Sequence, residues 1–166
     1  MGCADRLPAD SMQPMTPQEQ RLTGPALHRD GDVPSSAKDE GSLFVFGSNL
    51  AGRHGAGAAL VAAERYGAQS GVGEGAFASS YAIPTKGHSL EVLPLTVIAE
   101  HVERFVLWAN AHPDRQYWLT RVGCGLAGYS NDQIAPLFTG LRVQRLSITA
   151  QRMPYWVAAL NRAGQL

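Results

Sequence analysis

Two glycine-rich stretches carry most of the residues whose types and spacing suit chemistry. The first is Gly47-Ser48-Asn49-Leu50-Ala51-Gly52-Arg53-His54-Gly55-Ala56-Gly57-Ala58-Ala59. The second is Gly123-Cys124-Gly125-Leu126-Ala127-Gly128-Tyr129. Small residues let a ligand approach the backbone, and a helix that starts there offers unpaired N–H groups and a positive dipole end. Two such stretches suit one anionic, phosphate-bearing ligand held between them; tight turns alone are the plain alternative. Within the first stretch, His54 has the chemistry of a general base or a donor to phosphate, or is a loop histidine facing water. Arg53 suits a bidentate phosphate contact. Lys86, just past Tyr81-Ala82-Ile83-Pro84-Thr85, sits where a strand end meets a site, or on a solvated surface; as a nucleophile it would need burial. Cys124 is a conceivable thiolate beside a helix start, although no orienting acid or amide is identifiable and packing is the commoner use of such a residue. Tyr129 suits stacking on a base or ribose.

Familiar motifs are excluded in turn. No Lys-Ser or Lys-Thr pair follows a glycine loop, which removes the Walker pattern. Gly123, Gly125 and Gly128 match a dinucleotide fingerprint, but no Asp or Glu occurs after Asp132 to hold a ribose hydroxyl, so a Rossmann oxidoreductase is not expected. His88, His101 and His112 have no ligand spacing with one another or with a Cys, so neither a metal nor another cofactor is expected.

The elements that must position these residues follow from periodicity. Leu43-Phe44-Val45-Phe46 reads as a buried strand ending at Gly47. Residues 55–66 read as a helix, with Leu60 and Val61 inward and Gly67 at its C′ position. Residues 68–79 read as a loop. Tyr81–Ile83 read as a strand stopped by Pro84. Leu95, Ile98, Val102, Phe105, Val106 and Ala109 recur at helical spacing, which predicts a helix over 94–110. Tyr117–Val122 read as a third strand closed by Gly123. A short helix is expected over 131–139, a strand over 146–149, and a C-terminal helix opened by Pro154. Trp108 and Trp118 are expected in the core or at an interface. Alternation of strand and helix gives an α/β class with a largely parallel sheet.

The 166 residues suit one domain preceded by a tail. Every Trp, Tyr and Phe lies after position 43, whereas half of the ten prolines lie in the first 42 residues, with 7 acidic and 4 basic side chains. Residues 1–42 are therefore expected to be a disordered tail and 43–166 the domain. The formal net charge of zero argues against a binder held to a phosphate backbone by bulk charge. No apolar run approaches the roughly 18 residues of a membrane span. The start Met1-Gly2-Cys3 departs from the myristoylation pattern at Arg6. Two Cys fit a reducing compartment, so a cytoplasmic protein with no membrane partner is expected.

Phe46–Ala59, Tyr81–Lys86 and Arg121–Tyr129 resemble a family of small phage and bacterial proteins that is itself macrodomain-like, nearest the subgroup of the terminal ADP-ribose protein glycohydrolase. The resemblance covers most of 43–140, and the Gly123–Tyr129 block is its most specific part. It implies a three-layer α/β/α macrodomain-like fold with a mostly parallel sheet and ADP-ribose or a related nucleotide as ligand. Asn49 would lie near the distal ribose, and the turn Gly55–Ala59 beside that ribose and the pyrophosphate. Gly123–Tyr129 would wrap the diphosphate. Ser48, Asn49, Arg53, Gly55 and Gly57, with Gly123, Cys124, Gly125, Leu126, Ala127, Gly128 and Tyr129, are the expected ligand contacts. Two departures matter. The first loop lacks an acid, and Ala127 stands where the subgroup has an Asp paired with the lysine that Lys86 matches. Two readings follow: a module that reads or sequesters ADP-ribosyl nucleotides, or a hydrolase using Lys86, His54 or both on an ADP-ribosylated protein, nucleic acid or metabolite. A third and weaker reading is an interaction protein whose glycine loops are structural.

Overall fold

The computed structural model describes residues 26–28, 42–143 and 145–149. In chain order these form β1 (Ala26–His28), β2 (Ser42–Asn49), α1 (Gly57–Arg65), β3 (Gly75–Phe77), β4 (Ser80–Lys86), α2 (Leu95–Asn110), β5 (Gln116–Leu119), α3 (Asn131–Ile134), a 3-10 turn (Ala135–Phe138) and β6 (Arg145–Thr149). Among the described residues the strands make one mixed sheet in the order β1-β6-β5-β2-β4-β3. The pairs β1–β6, β6–β5, β5–β2 and β2–β4 are parallel, and β3–β4 is antiparallel.

The period-2 alternation of β2 sends side chains to two faces, and both are buried. Leu43 and Val45 join Tyr81, Ile83, Tyr117 and Leu119 under α2. Phe44 and Phe46 join Ala82 under Ala59, Ala62 and Tyr66 of the α1 region. Phe105 is the centre of the first core: its ring meets Tyr81 at 4.9 Å and Tyr117 and Phe138 at 6.0 Å. The second core is thinner, because alanines bring α1 close to the sheet. Phe44 stacks on Tyr66 there, with centroids 4.3 Å apart.

Several sequence expectations need correction. The helix expected over 55–66 starts at Gly57, and Leu60 is exposed while the small Ala59 and Ala62 face the sheet. Gly67 does leave the helix at φ +75°. Pro84 does not stop its strand: β4 runs on to Lys86 because β3 pairs only as far as Ala82, so one edge of β4 is open at Pro84 and needs no N–H there. The loop expected over 68–79 contains β3. The third strand ends at Leu119, three residues early; just past it Thr120 gives both its N–H and its hydroxyl to the Val45 carbonyl, at 3.1 and 2.7 Å. The helix expected over 131–139 is a single turn, opened by a Ser130–Gln133 capping box, that tightens to 3-10 at Pro136. The tail expected over 1–42 lies mostly outside the described residues, but Ala26–His28 within it form an edge strand and Ser42 is a buried residue of β2. The helix expected from Pro154 lies outside the described residues.

Candidate functional site

Strands β2, β4 and β5 run parallel, so Asn49, Lys86 and Leu119 end on one edge of the sheet, where open α/β sheets bind ligands. A cleft of about 780 Å³ opens there. Its walls are the two glycine-rich stretches, from Gly47 to Ala59 and from Gly123 to Ala127; Thr85, Lys86 and Thr120 also line it, and Phe44, Val61 and Trp118 give it an apolar part. Arg53, Lys86 and Arg121 line it, and no Asp or Glu is among the lining residues. The cleft is therefore cationic and partly apolar.

The second stretch is built as a tight loop. Gly123, at φ +74°, occupies the left-handed region that a side chain disfavours, and a Cβ there would sit 3.0 Å from Ile134. The Gly123 carbonyl accepts from Tyr129 N–H and the Gly125 carbonyl from Gly128 N–H, both at 3.0 Å. Among the described residues no acceptor engages the N–H groups of Gly125, Leu126 or Ala127, and these residues line the cleft. Such a run of N–H groups has the chemistry to meet an anion. Gly47 keeps the two stretches in contact: a Cβ on it would lie 3.3 Å from the Gly123 nitrogen. The first stretch is shaped by Asn49, whose amide donates to the Arg53 carbonyl at 2.7 Å and accepts from the Arg53 N–H at 2.9 Å.

Most of the expected ligand contacts converge. Ser48, Asn49, Arg53, Gly55, Gly57, Lys86, Gly123, Cys124, Gly125, Leu126 and Ala127 all line the cleft. Three do not. His54 is buried beside the loop, its Nε2 against the carbonyls of Gln69 and Val72 at 3.1 and 3.2 Å, so the structure places the proposed base behind the site wall. Gly128 lies past the cleft. Tyr129 turns its hydroxyl to the Leu93 carbonyl at 2.6 Å and packs on the core instead of offering its ring to a ligand. Cys124 lines the cleft as a thiol: burial pushes its pKa up, Arg121 pulls it back and Asp132 adds to the rise. That direction disfavours the thiolate a helix start could stabilise and suits the packing role that is the commoner use of such a residue. Sequence reasoning missed Phe44, Thr85, Thr120 and Arg121 as lining residues. For Thr85, Thr120 and Arg121 the signal was the strand register, since each sits at or beside a carboxyl strand end; Phe44, early in β2, carried no such signal.

No family model and no curated protein matches the chain. A solved structure described as Alphavirus P23pro-zbd is similar, with a TM-score of 0.55 at 12% identity, over 84% of this chain and 24% of that one. The chain thus spans about a quarter of that protein, and the likeness is one of fold. Among the described residues no helix is long and apolar enough to cross a membrane, and no cluster of three His, Cys, Asp or Glu side chains is placed to hold a metal ion.

Proposed function

We propose that the protein binds ADP-ribose or a related ADP-ribosyl nucleotide in this cleft, as a reader or sequestering module on a three-layer, mostly parallel macrodomain-like scaffold. The observation that carries the reading is the composition of the cleft wall: two glycine-rich loops, three cationic side chains and no carboxylate. A diphosphate suits the N–H groups of the second loop and the side chains of Arg53 and Lys86; Arg121, whose Nε donates to the Asn131 Oδ1 at 3.1 Å, adds positive charge to the same wall. The apolar part lined by Phe44, Val61 and Trp118 suits a planar base. Hydrolysis of a glycosidic or ester bond calls for a group that moves a proton, and that help contributes about 10²–10⁴ in rate. Ala127 supplies none, and His54 faces the wrong way.

Calorimetry and thermal unfolding with ADP-ribose, ADP, AMP and NAD test the reading. ADP-ribose at about 100 times its Kd is expected to stabilise the fold by about 2.7 kcal/mol, with adenosine lacking phosphates giving no shift. Absence of any shift with ADP-ribose sinks the proposal. The second reading, an ADP-ribosyl hydrolase acting through Lys86, is favoured by the place of this half-buried residue in the cleft wall. Release of ADP-ribose from an ADP-ribosylated protein or nucleic acid by wild-type protein would decide for it.

A further inference from the structure

Residues 69–73 lie against the first glycine-rich loop, yet none of them lines the cleft. The carbonyls of Gln69 and Val72 are acceptors only, so the His54 Nε2 between them carries the proton and donates to both. The Gly71 N–H donates to the Gly52 carbonyl at 2.9 Å, and the Ser48 hydroxyl donates to the Gly73 carbonyl. Neither contact leaves space for a side chain. A Cβ on Gly52 would come within 2.6 Å of the Gly71 Cα, and one on Gly73 would fall on the Asn49 carbonyl oxygen. His54 is 9% exposed, stands edge-on to Phe46 at 5.4 Å, and has a buried Nδ1 with no partner. The far end of the segment is tied down as well: Glu74 holds His101 and Arg104 of α2 at 2.7 and 2.9 Å.

We propose that residues 69–73 are the template on which the ligand-holding loop is shaped, and that His54 is the positioning residue that couples the two. The proposal rests on the reading that the first loop holds the ligand. A buried ring that commits its one Nε2–H to two backbone carbonyls offers that proton to nothing in the cleft. Its chain neighbours Arg53 and Gly55 do line the cleft, so displacement of the ring moves ligand-facing groups on both sides of it. Affinity is then set from outside the cleft.

Three variants test this by calorimetry with ADP-ribose, alongside thermal unfolding and hydrogen exchange over 49–55. His54→Leu fills the space without a donor and is expected to weaken binding about tenfold. His54→Gln supplies two N–H donors for the two carbonyls and is expected to restore affinity to within about threefold of wild type. Gly73→Ala, whose added methyl would meet the backbone of Asn49 and Leu50, is expected to weaken binding as His54→Leu does, and both variants to speed exchange over 49–55. Wild-type affinity in His54→Leu and Gly73→Ala overturns the proposal. So does a His54→Gln variant as weak as His54→Leu, because the imidazole itself would then be the contact. If His54→Leu melts without a cooperative transition, Gly73→Ala decides alone. If wild-type protein does not bind ADP-ribose, the functional reading fails separately and exchange over 49–55 still judges the template: unchanged exchange in both variants rejects it.

Discussion

At the scale of single residues, side chains that look alike in the sequence do opposite jobs in the structure. Asn49 and His54 lie five positions apart in the same loop, and each spends its hydrogen bonds inside the protein. Asn49 closes the loop on Arg53. Asn49→Ala is therefore expected to cost stability as well as affinity, by about 1–3 kcal/mol for the orphaned Arg53 groups; urea unfolding read beside calorimetry checks it. Affinity lost at unchanged stability would show that the amide serves the ligand alone. Lys86 and Ala127 make the complementary case. Both line the cleft, and only one brings a reactive group. Wild-type protein is expected to hydrolyse ADP-ribosylated substrates poorly or not at all. Ala127→Asp is expected to raise turnover by placing a proton carrier in the lysine's cleft, and Lys86→Ala on that background to remove the gain. Rapid wild-type turnover that survives Lys86→Ala would reject both the binder reading and the role given to this lysine.

At the scale of elements, the link from the lead-in of β3 to α2 has a pH signature. Burial by itself would raise the Glu74 carboxyl, but the hydrogen bonds from His101 and Arg104 outweigh it and hold the group below its ordinary value. A depressed carboxylate stabilises fully above its unfolded value, and the contribution is lost as pH falls through the folded one. Glu74→Gln is expected to flatten the acid limb of stability against pH below about 4.5. A parallel offset at every pH would mean that the pair contributes packing and no proton linkage. Elements also show what the sequence could reveal. The two glycine-rich loops were legible because a strand, a run of small residues and a helix are local signals. The α2 stripe was legible for the same reason, since Ile98, Val102, Phe105 and Ala109 share one face by spacing alone. The short strands β1 and β3 were not legible. Three residues have no period to read: the pairing of β1 is decided by distant partners, Ser147–Thr149, and β3 folds back on Ser80–Ala82 across Ala78-Ser79, a turn with no Gly, Pro, Asn or Asp to mark it. His54 and Tyr129 failed for a related reason: the direction of each ring is set by carbonyls 15 to 36 positions away, at Gln69, Val72 and Leu93.

At the scale of the whole molecule, the site depends on the sheet being continuous across it. β2 at its centre pairs with β4 on one side and β5 on the other, and those flanking strands deliver Lys86 and, just past β5, the second loop. β5 in turn leans on β6, and β6 on β1. Composition marks the first 42 residues as poor in core-forming side chains, yet Ala26–His28 complete the outer edge of this ladder. That contrast separates two truncations. Removing residues 1–24 deletes no described strand and is expected to leave the melting temperature within about 1 °C of wild type. Removing residues 1–41 strips β1 from β6 and exposes a sheet edge. A few backbone hydrogen bonds at about 0.5–1.5 kcal/mol each, read at about 2–4 °C per kcal/mol for a chain of this size, predict a fall of several degrees. The shorter protein is also expected to self-associate more readily, because β6 would present unpaired backbone groups. Scanning calorimetry and sedimentation of the two truncations measure both effects. Equal melting temperatures for the two would show that β1 adds nothing to the fold and that the working sheet ends at β6.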